Sequence, residues 1–484
     1  EILTELMPVL LKAIGRTPSP DVAFLRFDGF LSRLPAGVQL FSMFQANPHL
    51  LDLVTEIMGK APRLADHLSN RLAILDSVLT QGFFDAPPAK RALVEELKGL
   101  LARTEHFEQK LDISRRWNAD RRFQVGVQCL RGTLQPGDAS LAFSNIAEAA
   151  VAGLFPAIEE EFAIKHGRIA GTDPEHGSLA VLALGKLGSR EITAAADLDL
   201  VFVYSTPGDQ ATSAILSDGD KPLDAQHYYN RLSQRLINGL TALTSEGLLY
   251  EVDMRLRPSG AKGPIATSLK GFEQYHAQSA WTWERLALTR ARVILGPPEL
   301  RQRLNSTISS ILRSPRDPDA LLRDVADMRA RLDAGRHTDC LWALKHLRGG
   351  LVDIEFIAQY LTLKHARAHP DLLGLGTRAT LVALIEGGLL ASDDGQTLIN
   401  TLNLWQGLQG LLALTIEGEV TVEREEDISK ALREDLVRVA GGAPNQAADF
   451  EQLRETIANR ADKVYALFRD LIEIPAAQLP PPET

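Results

Sequence analysis

The chain has 484 residues, 45% hydrophobic and 24% charged, an ordinary balance for a soluble globular protein but too long for one core, so about three domains are expected. Its 62 acidic against 52 basic residues leave a net charge of −10, which removes electrostatic support for general nucleic-acid binding. Cys129 and Cys340 lie far apart without metal-ligand spacing, which points to a reducing, cytoplasmic setting. No run of about 18 apolar residues calls for a membrane span, and the N-terminus lacks the basic and apolar regions of a signal peptide. Beginning at Glu1 rather than Met, the chain reads as a fragment.

Residues 1 to about 170 read as helices broken by turn residues. Ile2, Leu3, Leu6, Val9, Leu10 and Ile14 keep a helical period that ends at Gly15-Arg16-Thr17-Pro18. Further amphipathic segments follow at 22–34, 48–58, 64–81, 89–103, 106–132 and 138–166, with breaks at Pro87-Pro88 and Pro136-Gly137. Arg115, Arg116, Arg121 and Arg122 form a basic cluster. It suits contact with phosphate or an acidic partner, or a solvated helix face paired with Glu108 and Asp120.

Residues 180–204 differ in kind. Val181-Leu182-Ala183-Leu184 reads as a short buried strand ending at Gly185. Gly188-Ser189 then opens a brief helical segment, where glycine permits close approach and free N–H groups favour an anion such as phosphate. Asp197-Leu198-Asp199 follows, running into the β-branched and aromatic strand Leu200–Tyr204. Strand residues i and i+2 share a face, so the two carboxylates project together and suit one or two hard cations such as Mg2+. A polar loop over 205–225 and a helix over 226–244 come next. Leu248–Pro258 then reads as a strand with Asp253, Arg255 and Arg257 on one face. Asp253 completes a carboxylate triad with Asp197 and Asp199, and the arginines match phosphate oxygens in a fork geometry.

The residue types belong together chemically. In nucleotidyl transfer two metal ions about 4 Å apart hold the attacking and leaving oxygens, and three carboxylates can bind such a pair. Asp253 is also the candidate to receive the proton of an attacking hydroxyl. Neither a Walker-type phosphate loop nor the kinase signatures occur.

The Gly-Ser turn, the Asp-x-Asp pair and a later strand aspartate resemble the polymerase-beta-like nucleotidyltransferase superfamily. More closely, GKLGSREITAAADLDLVFVY, LLYEVDMRLRPSGAKGPIATS, AWTWERLALTRARVILG, GGLVDIEFIAQYL and the helix around RRFQVGVQCLRG resemble the bacterial glutamine synthetase adenylyltransferase family. Arg255–Gly260 and Ala280–Glu284 are similar to that family's C-terminal, adenylylating half, preceded here by its helical linker. The resemblance implies transfer of AMP from ATP to a tyrosine hydroxyl of glutamine synthetase with release of pyrophosphate, under the control of the PII signal protein and glutamine. Phosphorolytic removal of AMP and a non-catalytic binding module are the alternatives. Many relatives carry Gly-Gly where Gly188-Ser189 stands.

Lys262, in the loop Ser259–Pro264, is a candidate mobile cation over the triphosphate, with a plain turn as the alternative. Trp281 and Trp283 suit adenine stacking but, at i and i+2 of a helical stretch, point to different faces. Arg290 and Arg292 are ambiguous in the same way. From about 300 onward the pattern is helical. Asp353 and Glu355 diverge by about 200° on a helix and read as first-turn acids facing the dipole, with one of them within reach of an interdomain cleft. His346, His365 and His369 lack ligand spacing. The expectation is an α+β, mostly helical chain: a helical linker at 1–135, a small mixed-sheet nucleotidyltransferase domain at 136–300, a C-terminal helical bundle at 301–475 and a flexible tail at 476–484.

Overall fold

The computed structural model describes residues 2–17, 19–33, 37–71, 74–80, 82–172, 178–206, 215–416, 428, 430–441 and 447–480. Its N-terminal part is helical: α1 (Ile2–Gly15), α2 (Pro20–Ser32), α3 (Gly37–Ala46), α4 (Pro48–Lys60), α5 (Pro62–Asn70), α6 (Ile74–Val78), α7 (Lys90–Leu101), α8 (Phe107–Leu130) and α9 (Pro136–His166). Proline opens α2, α4, α5 and α9, where its fixed φ is already helical and its missing N–H would have had no partner. The segment expected over 64–81 is two helices, α5 and α6, rather than one.

By length and composition α9 would pass for a membrane span, with a mean hydropathy of 1.5 over an 18-residue window. That window is 78% buried inside the protein, and α9 packs against α7, α8 and α11 (Ala225–Thr241) as a core helix. Its apolar run serves the interior instead.

The sheet follows: β1 (Leu179–Ala183), the one-turn helix α10 (Gly185–Gly188), β2 (Leu198–Tyr204), α11, β3 (Val252–Asp253), β4 (Ala266–Ser268), α12 (Leu269–Gln278), α13 (Thr282–Leu288) and β5 (Arg292–Leu295). The strand order is β3-β2-β1-β5. β1 is antiparallel to β2 and β5, whereas β3 and, further along, β4 run parallel to β2. Both sheet faces are buried, which explains the near-continuous apolar runs. Leu198, Leu200, Phe202 and Tyr204 face the core shared with the N-terminal helices, and Val201 and Val203 face the core shared with the C-terminal ones. By the same alternation Asp199 faces the C-terminal side.

That side is built from α14 (Pro298–Arg313), α15 (Pro318–Arg336), α16 (Leu351–His365), α17 (Thr377–Glu386), α18 (Ser392–Thr415), α19 (Lys430–Val439), α20 (Ala447–Phe468) and α21 (Ile474–Ala477). The mostly helical α+β class therefore holds. The tail expected from residue 476 begins inside α21, and Arg323 donates to the Pro480 carbonyl at 2.9 Å; residues 481–484 lie outside the described ones. Asp353 is more than a dipole partner. It is fully buried, pairs with Arg329 at 2.5 Å and accepts the Gly349 N–H at 2.5 Å. Glu355 turns the other way and pairs with Arg290 at 3.0 Å.

The arginine cluster on α8 does not pair with Glu108 or Asp120. Arg115 is 1% exposed and donates to the carbonyls of Leu111, Gly239, Ala242 and Gly247, stapling α8 to the end of α11. Arg116 and Arg121 reach Glu246 and Glu96, and Asp120 accepts from Arg71 instead. Because Arg115→Met leaves buried carbonyls without donors, it is expected to destabilise by about 3 kcal/mol. A lowered urea midpoint with faster hydrogen exchange over 239–249 would show this, and wild-type values in both would show that the staple contributes nothing.

Candidate active site

After β1 the chain turns sharply at Gly185, whose φ of +52° is left-handed. A Cβ there would fall 2.0 Å from the Asp199 Oδ2, so glycine lets α10 start directly against that carboxylate. Gly188 is required for a different approach. Its Cβ would lie 2.1 Å from the Arg290 carbonyl oxygen. The short helix ends at Gly188-Ser189, with Gly188 its last residue and Ser189 its C-cap, instead of beginning there. The Gly188 and Ser189 N–H groups donate to Leu184 and Gly185 carbonyls at 2.8 and 3.2 Å, and the Ser189 hydroxyl donates to Gly185 at 3.2 Å. These contacts close the helical turn.

The three aspartates do come together. Leu198 and Asp199 on β2 stand in register with Val252 and Asp253 on β3, and parallel register puts Asp199 and Asp253 on one face. Asp197 is exposed at the head of β2, and Asp199 is half-buried. Burial, then repulsion from Asp197 and Asp253, pushes the Asp199 carboxyl from 3.8 up to about 6, with Arg290 and Lys345 acting in the opposite direction.

β3 is far shorter than the strand expected over 248–258. Asp253 accepts the backbone N–H of Arg255 at 2.8 Å, an Asx-type turn that bends the chain away from the sheet. Arg255 also clamps Asp253 through its guanidinium, with Nε at 2.7 Å, which holds that carboxyl below its ordinary value. Arg255 is otherwise exposed beside the acids. Arg257 does not share its face: it donates to the carbonyls of Met254, Ala261 and Gly263 and shapes the loop. Lys262 is exposed in the 3-10 turn Gly260–Lys262. Trp281 is 71% exposed and Trp283 37%, so neither is buried core.

Among the described residues no three His, Cys, Asp or Glu side chains stand as a closed ligand set, and Asp253 is turned to Arg255. The donor chemistry nevertheless fits a hard divalent cation. All three groups are carboxylates, and such an ion would relieve their mutual repulsion. Asp197 and Asp199 would hold it, joined by Asp253 on release from Arg255.

With this geometry in place, comparison with known proteins is decisive for the family. The glutamate-ammonia ligase adenylyltransferase family model matches residues 51–307, more than half of the chain. The chain belongs to this family. Residues 323–472 match the model of GlnD PII-uridylyltransferase. Relatives named bifunctional glutamine synthetase adenylyltransferase/adenylyl-removing enzyme include one from Xanthobacter autotrophicus, 39% identical over 98% of this chain and 46% of its own length. Another from Rhodopseudomonas palustris is 40% identical over 97% of this chain and 46% of its own. The chain thus spans about half the length of the curated relatives it matches.

Several charged residues around the site have partners that no sequence pattern reveals, because those partners are remote. Lys186 in α10 donates to Gln409 of α18 at 2.8 Å, and burial lowers its pKa. Glu191 accepts the N–H and hydroxyl of Thr377 at 3.1 and 3.0 Å. Arg292 donates to the carbonyls of Leu187 and Gly188 and pairs with the fully buried Glu148 of α9, which Lys90 also meets at 2.8 Å. Arg122 of α8 donates to the Ala194 carbonyl, three residues before Asp197. Its guanidinium also lies 5.4 Å from the ring of Tyr250, three residues before Asp253. One helix therefore braces both acid-bearing segments. In 1–170 the arginine cluster was the legible trace of this.

A carboxyl with a raised folded-state pKa contributes stability below its unfolded pKa and loses it as pH rises through the folded value. For Asp199 the window runs from about pH 4 to 6, and the rise from 3.8 to about 6 is worth about 3 kcal/mol. In metal-free buffer Asp199→Asn is expected to melt higher than wild type at pH 7.5 and equally at pH 4. Mg2+ is expected to raise the wild-type melting temperature above pH 6 without raising that of the variant. Identical wild-type and variant pH profiles would contradict the raised pKa of Asp199.

Proposed function

We propose that this chain transfers AMP from ATP to a tyrosine hydroxyl of glutamine synthetase and releases pyrophosphate. The observation that carries the reading is the in-register pairing of Asp199 with Asp253 beside Asp197, in a chain of the adenylyltransferase family. Divalent ions, two Mg2+ in our reading, would supply charge neutralisation at the phosphates and activate the attacking oxygen. Asp197 and Asp199 hold and orient that charge at the head of a strand buried on both faces, which keeps their spacing fixed. Asp253 accepts the tyrosine proton as the oxygen bonds to the α-phosphorus and the bond to pyrophosphate breaks. Arg255 governs when Asp253 is available, because the clamped carboxyl is a poor proton acceptor. Gly188 and Ser189 set the turn beside the acids, and Lys262 is a mobile cation in the adjacent loop.

The relatives' name carries both addition and removal of AMP, and transfer is the direction supported by the resemblance of Arg255–Gly260 and Ala280–Glu284 to the adenylylating half. The intact aspartates argue against a purely binding module. The PII signal protein and glutamine are the regulators we propose, and a reducing, cytoplasmic setting agrees with Cys129 and Cys340 not being joined in a disulfide.

Folded full chain incubated with α-labelled ATP, Mg2+ and unmodified glutamine synthetase is expected to label the synthetase. Asp197→Asn and Asp199→Asn should each lower the rate about 1,000-fold. Absence of transfer, together with phosphate-dependent release of AMP from modified synthetase, would reverse the assignment.

A further inference from the structure

A cavity of about 280 Å3 opens beside Asp197, lined by Arg63, Lys186, Lys345, His346 and Gln409 among others. Three separate parts of the chain build it. Arg63 comes from α5, Lys186 from the turn after β1, and Lys345 from the connection between α15 and α16. Asp197 and Asp199 project from the sheet face that meets these C-terminal elements, and Lys345 is close enough to Asp199 to oppose the rise in its pKa.

Three facts define what the cavity suits. The nearby acids are already engaged, Glu355 by Arg290 and Glu191 by Thr377, and Arg63, Lys186 and Lys345 line the cavity together with Asp197. The aromatic in the wall offers no stacking platform, because Trp342 is 3% exposed and its ring lies on Phe450 at 5.3 Å. The volume is below the range of about 300–1,000 Å3 usual for pockets that enclose a whole ligand, so it suits part of a nucleotide. The arginines of the 253–263 segment are committed elsewhere, Arg257 to loop carbonyls and Arg255 to Asp253.

We propose that this cavity holds the β- and γ-phosphates of the nucleotide, the part that departs as pyrophosphate, with Lys345 and Arg63 as its exposed contacts and Lys186, anchored on Gln409, at its base. The proposal rests on the nucleotidyl-transfer reading and adds the residues that grip the leaving group from the C-terminal side. Divalent ions on Asp197 and Asp199 would neutralise a local source of repulsion toward a polyanion, so metal and phosphates are expected to bind cooperatively.

The test uses the full chain in Mg2+ buffer, with tripolyphosphate and adenosine titrated separately by calorimetry. Lys345→Met is expected to weaken tripolyphosphate about tenfold, about 1.4 kcal/mol, and to leave adenosine unchanged. Lys345→Arg should restore most of the affinity, and Arg63→Met should weaken tripolyphosphate in the same direction. Lys98→Met, an exposed change on α7, serves as the control for net charge and should alter neither. Unchanged tripolyphosphate affinity in both Lys345→Met and Arg63→Met would overturn the proposal, as would equal losses for tripolyphosphate and adenosine. A wild-type chain that binds tripolyphosphate through Lys345 yet labels no glutamine synthetase would refute the transfer reading and leave the phosphate site standing.

Discussion

Asp199 and Asp253 stand in register on neighbouring parallel strands, with Asp197 beside them, and burial has removed part of the water that would screen the Asp199 charge. Like charges about 4 Å apart repel by about 1 kcal/mol in bulk water and by about 4 kcal/mol where the effective dielectric constant is nearer 20. Burial first, and then that repulsion, raise the Asp199 pKa to about 6. A fold tolerates such a concentration of charge when a ligand completes it. The surrounding features can be read as ways of fixing the acids and supplying opposite charge: Gly185 against the Asp199 oxygen, Arg255 on Asp253, and Lys345 across the cleft.

Rigidity comes from the two helical layers. The sheet has no solvent face, so its acids cannot drift without disturbing two cores. Arg122 ties the segments leading to Asp197 and Asp253 to one helix, and Arg292 ties the Gly188 turn to Glu148. Displacement of α8 would therefore alter the spacing between acids on different strands. This places the N-terminal helices mechanically upstream of the site.

The helices and the two acid-bearing strands were legible because each carries a local signal. Period-3.6 apolar spacing marks α8 and α9, and the apolar run after Asp199 marks β2. The strand at 253 was over-extended because alternation cannot register that an aspartate will bond the amide two residues on, which ends the strand and releases Arg257 into the loop. The Gly188-Ser189 turn was recognised, but that its glycine accommodates the Arg290 backbone carries no local signal. The pairings of Lys186 and Arg292 were illegible for a deeper reason. Lys186 meets Gln409, and Arg292 meets Glu148, across more than a hundred residues, and no local pattern encodes such pairing. The resemblance to the adenylyltransferase family carried the functional reading where local chemistry stopped at a metal-and-phosphate site.

The most direct measurement is a Mn2+ titration of the full chain followed by electron paramagnetic resonance, in wild type and in Asp197→Asn/Asp199→Asn. If the three carboxylates hold the ion, wild type binds Mn2+ at pH 7.5, loses affinity as pH falls below about 6, and the double variant shows no specific binding. Wild-type Mn2+ affinity in the double variant would show that the ion sits elsewhere and that these aspartates do not form its site.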